Sequence, residues 1–226
     1  MKKCTPISGR IEKRVSSASG FLEPLGSDTK QEEVMNKNQF WAIMEKAKDI
    51  DTEIMSSKLT EEITNLSKQD AQMFNNYINA YIDLINETIW IDMACKVING
   101  YVSDDTGLYF TLWLMSQGET VLLKAVSDPD TLSELPKIPF GNADFEMLMG
   151  IGAGEDEEIE NESIKNAREN AHEKILQEIT PSIKFKDGEQ YGKYETFDDA
   201  MEDIPNILPK LIKRAEMEQF DWKEWI

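Results

Sequence analysis

The chain has 226 residues, enough for one good hydrophobic core, and 40% of them are hydrophobic, as in an ordinary soluble protein. Against 24 basic side chains stand 43 acidic ones, a formal net charge of -19, so duplex DNA and anionic membranes are repelled and a basic partner is attracted. Charges interrupt the apolar runs well short of bilayer length, the N-terminal lysines lead into no apolar signal segment, and Cys4 and Cys95 make a poor disulfide pair, which together predict a cytoplasmic protein with no membrane segment.

Residues 1–34 hold six basic and five acidic side chains, are Ser-rich at first and show no hydrophobic period. They are predicted to be a disordered N-terminal extension, and Met35 offers an alternative start in the cell. The remainder, 35–226, holds 18 basic and 38 acidic side chains and is predicted to form one acidic domain.

Phe40, Ile43, Met44 and Ala47 make the apolar stripe of a first helix, from about Asn36 to Lys48, with Trp41 beside the stripe. Met55, Leu59, Ile63 and Leu66 do the same for a second, from about Thr52 to Leu66. Ser67 and Asp70 form a capping box. Beyond it Phe74, Tyr77, Ile78, Tyr81, Ile82, Ile85 and Ile89 keep helical spacing. This predicts one helix from Ser67 to Ile98, roughly 45 Å long at the standard rise, as the spine of the domain. Its last turns, Met93 to Ile98, are apolar nearly all round and so are expected to be buried on most sides.

Asn99-Gly100 ends that helix, because Gly accepts the left-handed conformation of a C-terminal cap. Ser103, Asp104 and Asp105 offer side-chain oxygens, and the aspartates a charge, to the positive start of the next helix. That helix carries Tyr109, Leu112, Trp113 and Ser116, and is followed by Val121, Leu122 and Ala125. Asp128-Pro129 signals a further helix start, with Asp128 as its N-cap. Residues 133–145 read as a loop and Phe145 to Met149 as a short helix.

Gly150 to Gly154, GIGAG, lacks the G-x-G-x-x-G spacing and a strand leading in, and Glu155, Asp156, Glu157 and Glu158 would face any phosphates. It is expected to be a flexible junction. Ile164 to Ile179 reads as an exposed polar helix, and Lys184 to Lys193 as a hairpin or a loop. Phe197 to Ala215 reads as helix interrupted near Pro205 and Pro209. Phe220, Trp222, Trp225 and Ile226 are expected to fold back on the core, with capture by a partner as the alternative. The fold class is therefore all-α or nearly all-α, a single helical domain around a long central helix.

The series N-G-x-x-S-D-D, F-x-x-W-L-x-x-Q-G and D-P-D-x-L is carried by Asn99, Gly100, Ser103, Asp104, Asp105, Phe110, Trp113, Leu114, Gln117, Gly118, Asp128, Pro129, Asp130 and Leu132. In these residues the chain resembles the bacterial domain-of-unknown-function family DUF4240. The resemblance begins at Met35 and is weaker from Phe145 to Leu211, where Gly188-Glu189 and Leu208 to Leu211 resemble the family's closing segment. It implies a mostly helical bacterial cytosolic protein and no particular activity. Tyr101 stands where the family usually has a second Gly, and Thr111 where it usually has an Arg.

Exclusion narrows the chemistry. His172 is the one histidine, so a Ser–His–Asp triad would need it, and no nucleophile elbow accompanies it. Glu169 and His172 have E-x-x-H spacing, but a carboxylate di-iron bundle needs that motif on two helices. Two Cys and one His do not make an ordinary zinc site, so no metal, cofactor or catalytic residue is assigned, and His172 is expected to be a solvated surface residue. Asp104 and Asp105 are candidates for cation binding or acid–base work, against the simpler role of helix capping. Trp113, with Tyr109 and Phe110, is a ligand-cage candidate against the simpler role of core.

Three functions remain. The first is a non-enzymatic acidic module that binds a basic protein, in the manner of an immunity protein or antitoxin. Its candidate binding residues are Asp104, Asp105, Trp113, Gln117 and the acidic run 155–158. The second is a carboxylate-dependent enzyme with a pocket around Asp104 and Asp105. The third is a structural or regulatory module that uses its aromatic C-terminus.

Overall fold

The computed structural model describes residues 34–86, 88–153, 162–188, 190, 192–194 and 196–223, with 162–165 as backbone only. Residues 1–33 of the predicted extension 1–34, the acidic run 155–158, Trp225 and Ile226 lie outside the described residues.

Side-chain caps start the first helices where the sequence places them. Asn36 accepts from the backbone of Asn38 and Gln39 while Gln39 reaches back to Asn36, a complete capping box for α1 (Lys37–Ala47). Asp51 caps α2 (Thr52–Thr64) through the N–H groups of Glu53 and Ile54. Ser67 caps α3 (Lys68–Ile85) through Asp70 N–H, and the Asp70 carboxylate accepts the Ser67 hydroxyl at 2.8 Å and Met35 N–H at 3.0 Å.

The predicted spine is two helices. α3 ends at Asn86, whose ψ of 150° leaves the helical region, and α4 (Ile89–Asn99) begins after Thr88, whose hydroxyl caps Ile91 N–H. The Asn86 amide oxygen takes the Thr111 hydroxyl at 3.3 Å, which ties the break to the core. Apolar spacing runs through the break because both helices bury their stripes in the same core, so periodicity alone could not reveal it. At the standard rise the pieces are about 27 Å and 16 Å long.

The short piece is the centre. Nine of the eleven residues of α4 are buried, as the all-round apolar sequence demands. Against it pack α5 (Asp104–Ser116), α6 (Glu119–Ser127), the 3-10 turn Pro129–Glu134, α8 (Phe197–Glu202) and α10 (Pro209–Met217). α7 (Glu162–Ile179) lies along α3 and buries Ile175 and Ile179. α9 (Ile204–Ile207) joins α8 to α10, with Pro205 and Pro209 at helix starts. Phe40, Trp41, Phe74, Tyr77 and Tyr81 form an aromatic cluster where α1 meets α3, and Trp41 Nε1 donates to the Tyr81 hydroxyl at 2.8 Å.

The described residues contain helices and turns and no strand, so the all-α expectation holds, and residues 186–188 form a 3-10 turn rather than part of a hairpin. No helix among them is long and apolar enough to cross a membrane. Phe220 stacks on Phe140 at 5.4 Å between centroids and Trp222 is buried, so the described part of the C-terminus folds back on the core.

Two local expectations are overturned. Residues 150–153 are docked on α3 and do not form a flexible junction. Ile151 is buried, and Asn75 Nδ2 donates to the carbonyls of Met149 and Ile151 at 3.1 and 3.2 Å. Gly152 has φ of 79°, and a Cβ there would meet the Ala71 carbonyl oxygen at 2.5 Å. The glycine serves close packing here. His172 is half-buried rather than a freely solvated residue, with Nε2 2.9 Å from an Asp83 carboxylate oxygen on α3.

Candidate functional site

The turn between α4 and α5 builds the site. Gly100 has φ of 86° and caps α4, and Lys96 Nζ donates to its carbonyl at 2.6 Å. Ser103 alone caps α5. Its hydroxyl oxygen accepts Thr106 N–H at 3.2 Å, and it shares a 2.9 Å bond with the Thr106 hydroxyl. Asp104 and Asp105 follow in the first turn and are exposed, contributing charge to the helix start but no capping bond. The expectation that all three residues cap is therefore corrected to Ser103.

Asp104 lines a cleft of about 260 Å³ together with Asn86, Asp92, Ser103, Gly107 and Phe197. Gly107 forms part of its wall beside Asp92, and a Cβ there would meet an Asp92 carboxylate oxygen at 3.5 Å, an ordinary contact distance. Asp105 is not among the lining residues. Val102 and Phe197 also line an adjoining groove of about 640 Å³, together with Tyr101, Met201, Pro205 and Trp222. Phe197 and Tyr101 are 45% and 47% exposed, unusual for aromatic side chains and placed together at one groove. Asp198 and Glu202 add carboxylates along it, and Lys96 and Lys223 add ammonium groups.

Phe197, Tyr101, Asp92 and Gly107 were missed by sequence reasoning. The available signals were slight: Tyr101 in place of a glycine, and Phe197 as an apolar residue directly after the Thr196 cap, whose hydroxyl oxygen accepts Asp199 N–H.

The other predicted binding residues stand elsewhere. Trp113 on α5 and Gln117 at its C-terminal cap are nine and thirteen residues after Asp104, about 13 and 20 Å along the axis. Trp113 is 3% exposed and packs against Phe110 at 5.4 Å, so most of it is core, and its remaining surface lines a different cleft, at the other end of α5. Gln117 donates its side-chain amide to Trp113 O at 3.3 Å and to the Ser116 hydroxyl at 2.8 Å. The acidic run 155–158 lies outside the described residues.

Much of the sequence motif has structural duties. Asn99 clamps residue 143, donating to its carbonyl at 3.1 Å and accepting its N–H at 2.9 Å. Asp130 is 5% exposed, and one carboxylate oxygen accepts Lys210 and Leu211 N–H at 2.9 and 2.8 Å, so it caps α10 from a distant part of the chain. Asp128 precedes its 3-10 turn without a side-chain capping bond and meets Lys186 at 3.3 Å. Thr111 is fully buried against Asn86.

Cys95 is no ready nucleophile. Burial first, then the charge of Asp92, push its thiol up to about 12, against a weaker opposing bond from Asn99. Among the described residues no group of three His, Cys, Asp or Glu side chains is placed to hold a metal ion.

No curated protein and no solved structure matches the chain. The model of the family described as Protein of unknown function (DUF4240) matches residues 35–174. The match begins at Met35, stops short of residues 188–211, and takes in α1 to α6, including the whole of the turn that carries Asp104. Spanning more than half of the chain, it establishes that this protein belongs to the DUF4240 family.

Proposed function

We propose that this protein is a non-enzymatic, acidic protein-binding module of the cytoplasm, an immunity- or antitoxin-like neutraliser of a basic protein, and that the Asp104 cleft receives a cationic side chain of that partner. The observation that carries this function is the sharing of one cleft by Asp92, Asp104 and the exposed Phe197 ring. An arginine suits such a place, because its planar guanidinium pairs with a carboxylate and stacks on an aromatic face. The adjoining groove, with Tyr101 and Met201, supplies apolar area for the neighbouring residues of the partner. The net charge of -19 steers a cation toward the domain and repels nucleic acid.

Titration of the isotopically labelled protein with N-acetyl-arginine amide tests the cleft by NMR. Shifts should concentrate on Ser103, Asp104 and Gly107, with affinity of order millimolar for so small a probe. Asp104→Asn and Phe197→Ala should each weaken binding by about threefold. Ser103→Ala should cost about 1 kcal/mol of stability as a lost cap while leaving the cleft able to bind. Shifts scattered over the acidic surface and indifferent to Asp104→Asn would contradict the assignment.

A carboxylate-dependent enzyme is the second reading, favoured by the presence of Asp92, Asp104 and Asn86 in one cleft. It requires that Asp104→Asn abolish a turnover while stability and partner binding persist.

A further inference from the structure

At the far end of α5 lies a second cleft, of about 420 Å³, between the α1–α2 connection, the last turn of α5, α6 and the loop 135–139. Its walls include Ile50, Trp113, Val121, Leu135, Pro136 and Pro139. Ile50 is 76% exposed, a large apolar side chain among the walls of the cleft. The charged groups of the walls are Lys48, Asp49 and Lys137.

These charges do not cancel. The Asp49 carboxylate is held by Lys58 at 2.8 Å, a lysine that is not part of the walls, and this bond is the first cause of its lowered pKa. Lys48 donates to the Gln117 carbonyl at 2.8 Å and stands 3.4 Å from a Glu45 carboxylate oxygen, at an approach kept open by Gly118 with φ of 94°. Lys137 is exposed and has no ion-pair or hydrogen-bond partner among the described residues. In a chain of net charge -19, this apolar cleft therefore carries a surplus of positive charge.

We propose that this cleft binds a small amphipathic anion, a free carboxylic acid with an aliphatic or aryl body. Its body covers Ile50 and the neighbouring prolines, and its carboxylate pairs with Lys137 and Lys48. Covering the apolar wall supplies most of the affinity, at roughly 25 cal/mol for each Å² removed from water. The ammonium groups keep the carboxylate from being left without partners. The cleft size falls in the range of small-molecule sites, about 300–1,000 Å³. This inference does not rest on the basic-partner function, since the two sites occupy opposite ends of α5 and have opposite charge.

The test is calorimetric titration of the full chain at constant ionic strength with octanoate and 3-phenylpropanoate, with 1-octanol as the uncharged body and acetate as the bodiless charge. Octanoate should bind saturably at one site. Octanol should bind about tenfold more weakly, and acetate should give no signal. Lys137→Gln should weaken octanoate by about two- to fivefold without altering octanol, as expected for an exposed charge pair. Ile50→Glu, a change at an exposed position that leaves the core intact, should abolish both. Three results would overturn the proposal: no saturable binding of either acid, equal affinity for octanol and octanoate, or octanoate binding unchanged by both Lys137→Gln and Ile50→Glu.

Discussion

Asp130 places one buried carboxylate oxygen on two backbone N–H groups at the start of α10. Asp130→Ala leaves both donors unpaired and should cost about 2–3 kcal/mol in urea unfolding. Asp130→Asn keeps an acceptor but loses the interaction of charge with the helix start, so it should cost about 1 kcal/mol. Cys95 gives a pH dependence. Its thiol rises from 9.0 in the unfolded reference to about 12 in the fold, so its contribution is complete below pH 9 and is lost as pH climbs toward 12. Cys95→Ala should therefore lose less stability than the parent between pH 9 and 11, as read from unfolding midpoints on the two proteins. Equal alkaline losses would show that burial of this thiol carries no such linkage.

At the scale of elements, the contrast between α4 and residues 150–153 shows what a sequence reveals. The caps at Asn36, Asp51 and Ser67 obey local rules, and their helices begin where those rules place them. The all-round apolar stretch of α4 announced its own burial for the same reason. The break at Asn86 was hidden because apolar period serves the core on both sides of it. The docking of Gly152 depends on Ala71, eighty-one residues earlier, and no local signal records a long-range contact of that kind. Gly152→Ala should accordingly destabilise by about 1–3 kcal/mol, through strain at positive φ and collision with the Ala71 carbonyl. A thermal melt within a degree of the parent would show that the loop moves away at no cost. The candidate site was half legible. Asp104 belongs to a readable helix start, whereas Asp92 and Phe197 reach it only through the packing of α4 and α8.

For the whole molecule, the two ends of α5 differ in the charge and shape of the surface they present. One end of α5 presents carboxylates beside exposed aromatic rings, and the other presents lysines around an apolar cleft. The domain from Met35, with 38 acidic and 18 basic side chains, should act at a distance on a cationic protein before any contact forms. Charges at the rim of an interface act mainly on encounter, and buried contacts act mainly on dissociation. The most direct measurement uses the partner captured from the native host on immobilised protein, with association and dissociation rates followed by stopped flow from low to high salt. The expected result is a basic partner whose association rate falls by about tenfold or more over that range, whose dissociation rate changes far less, and whose binding is weakened by Asp104→Lys. A neutral or acidic partner, or an association rate indifferent to salt, would contradict the account.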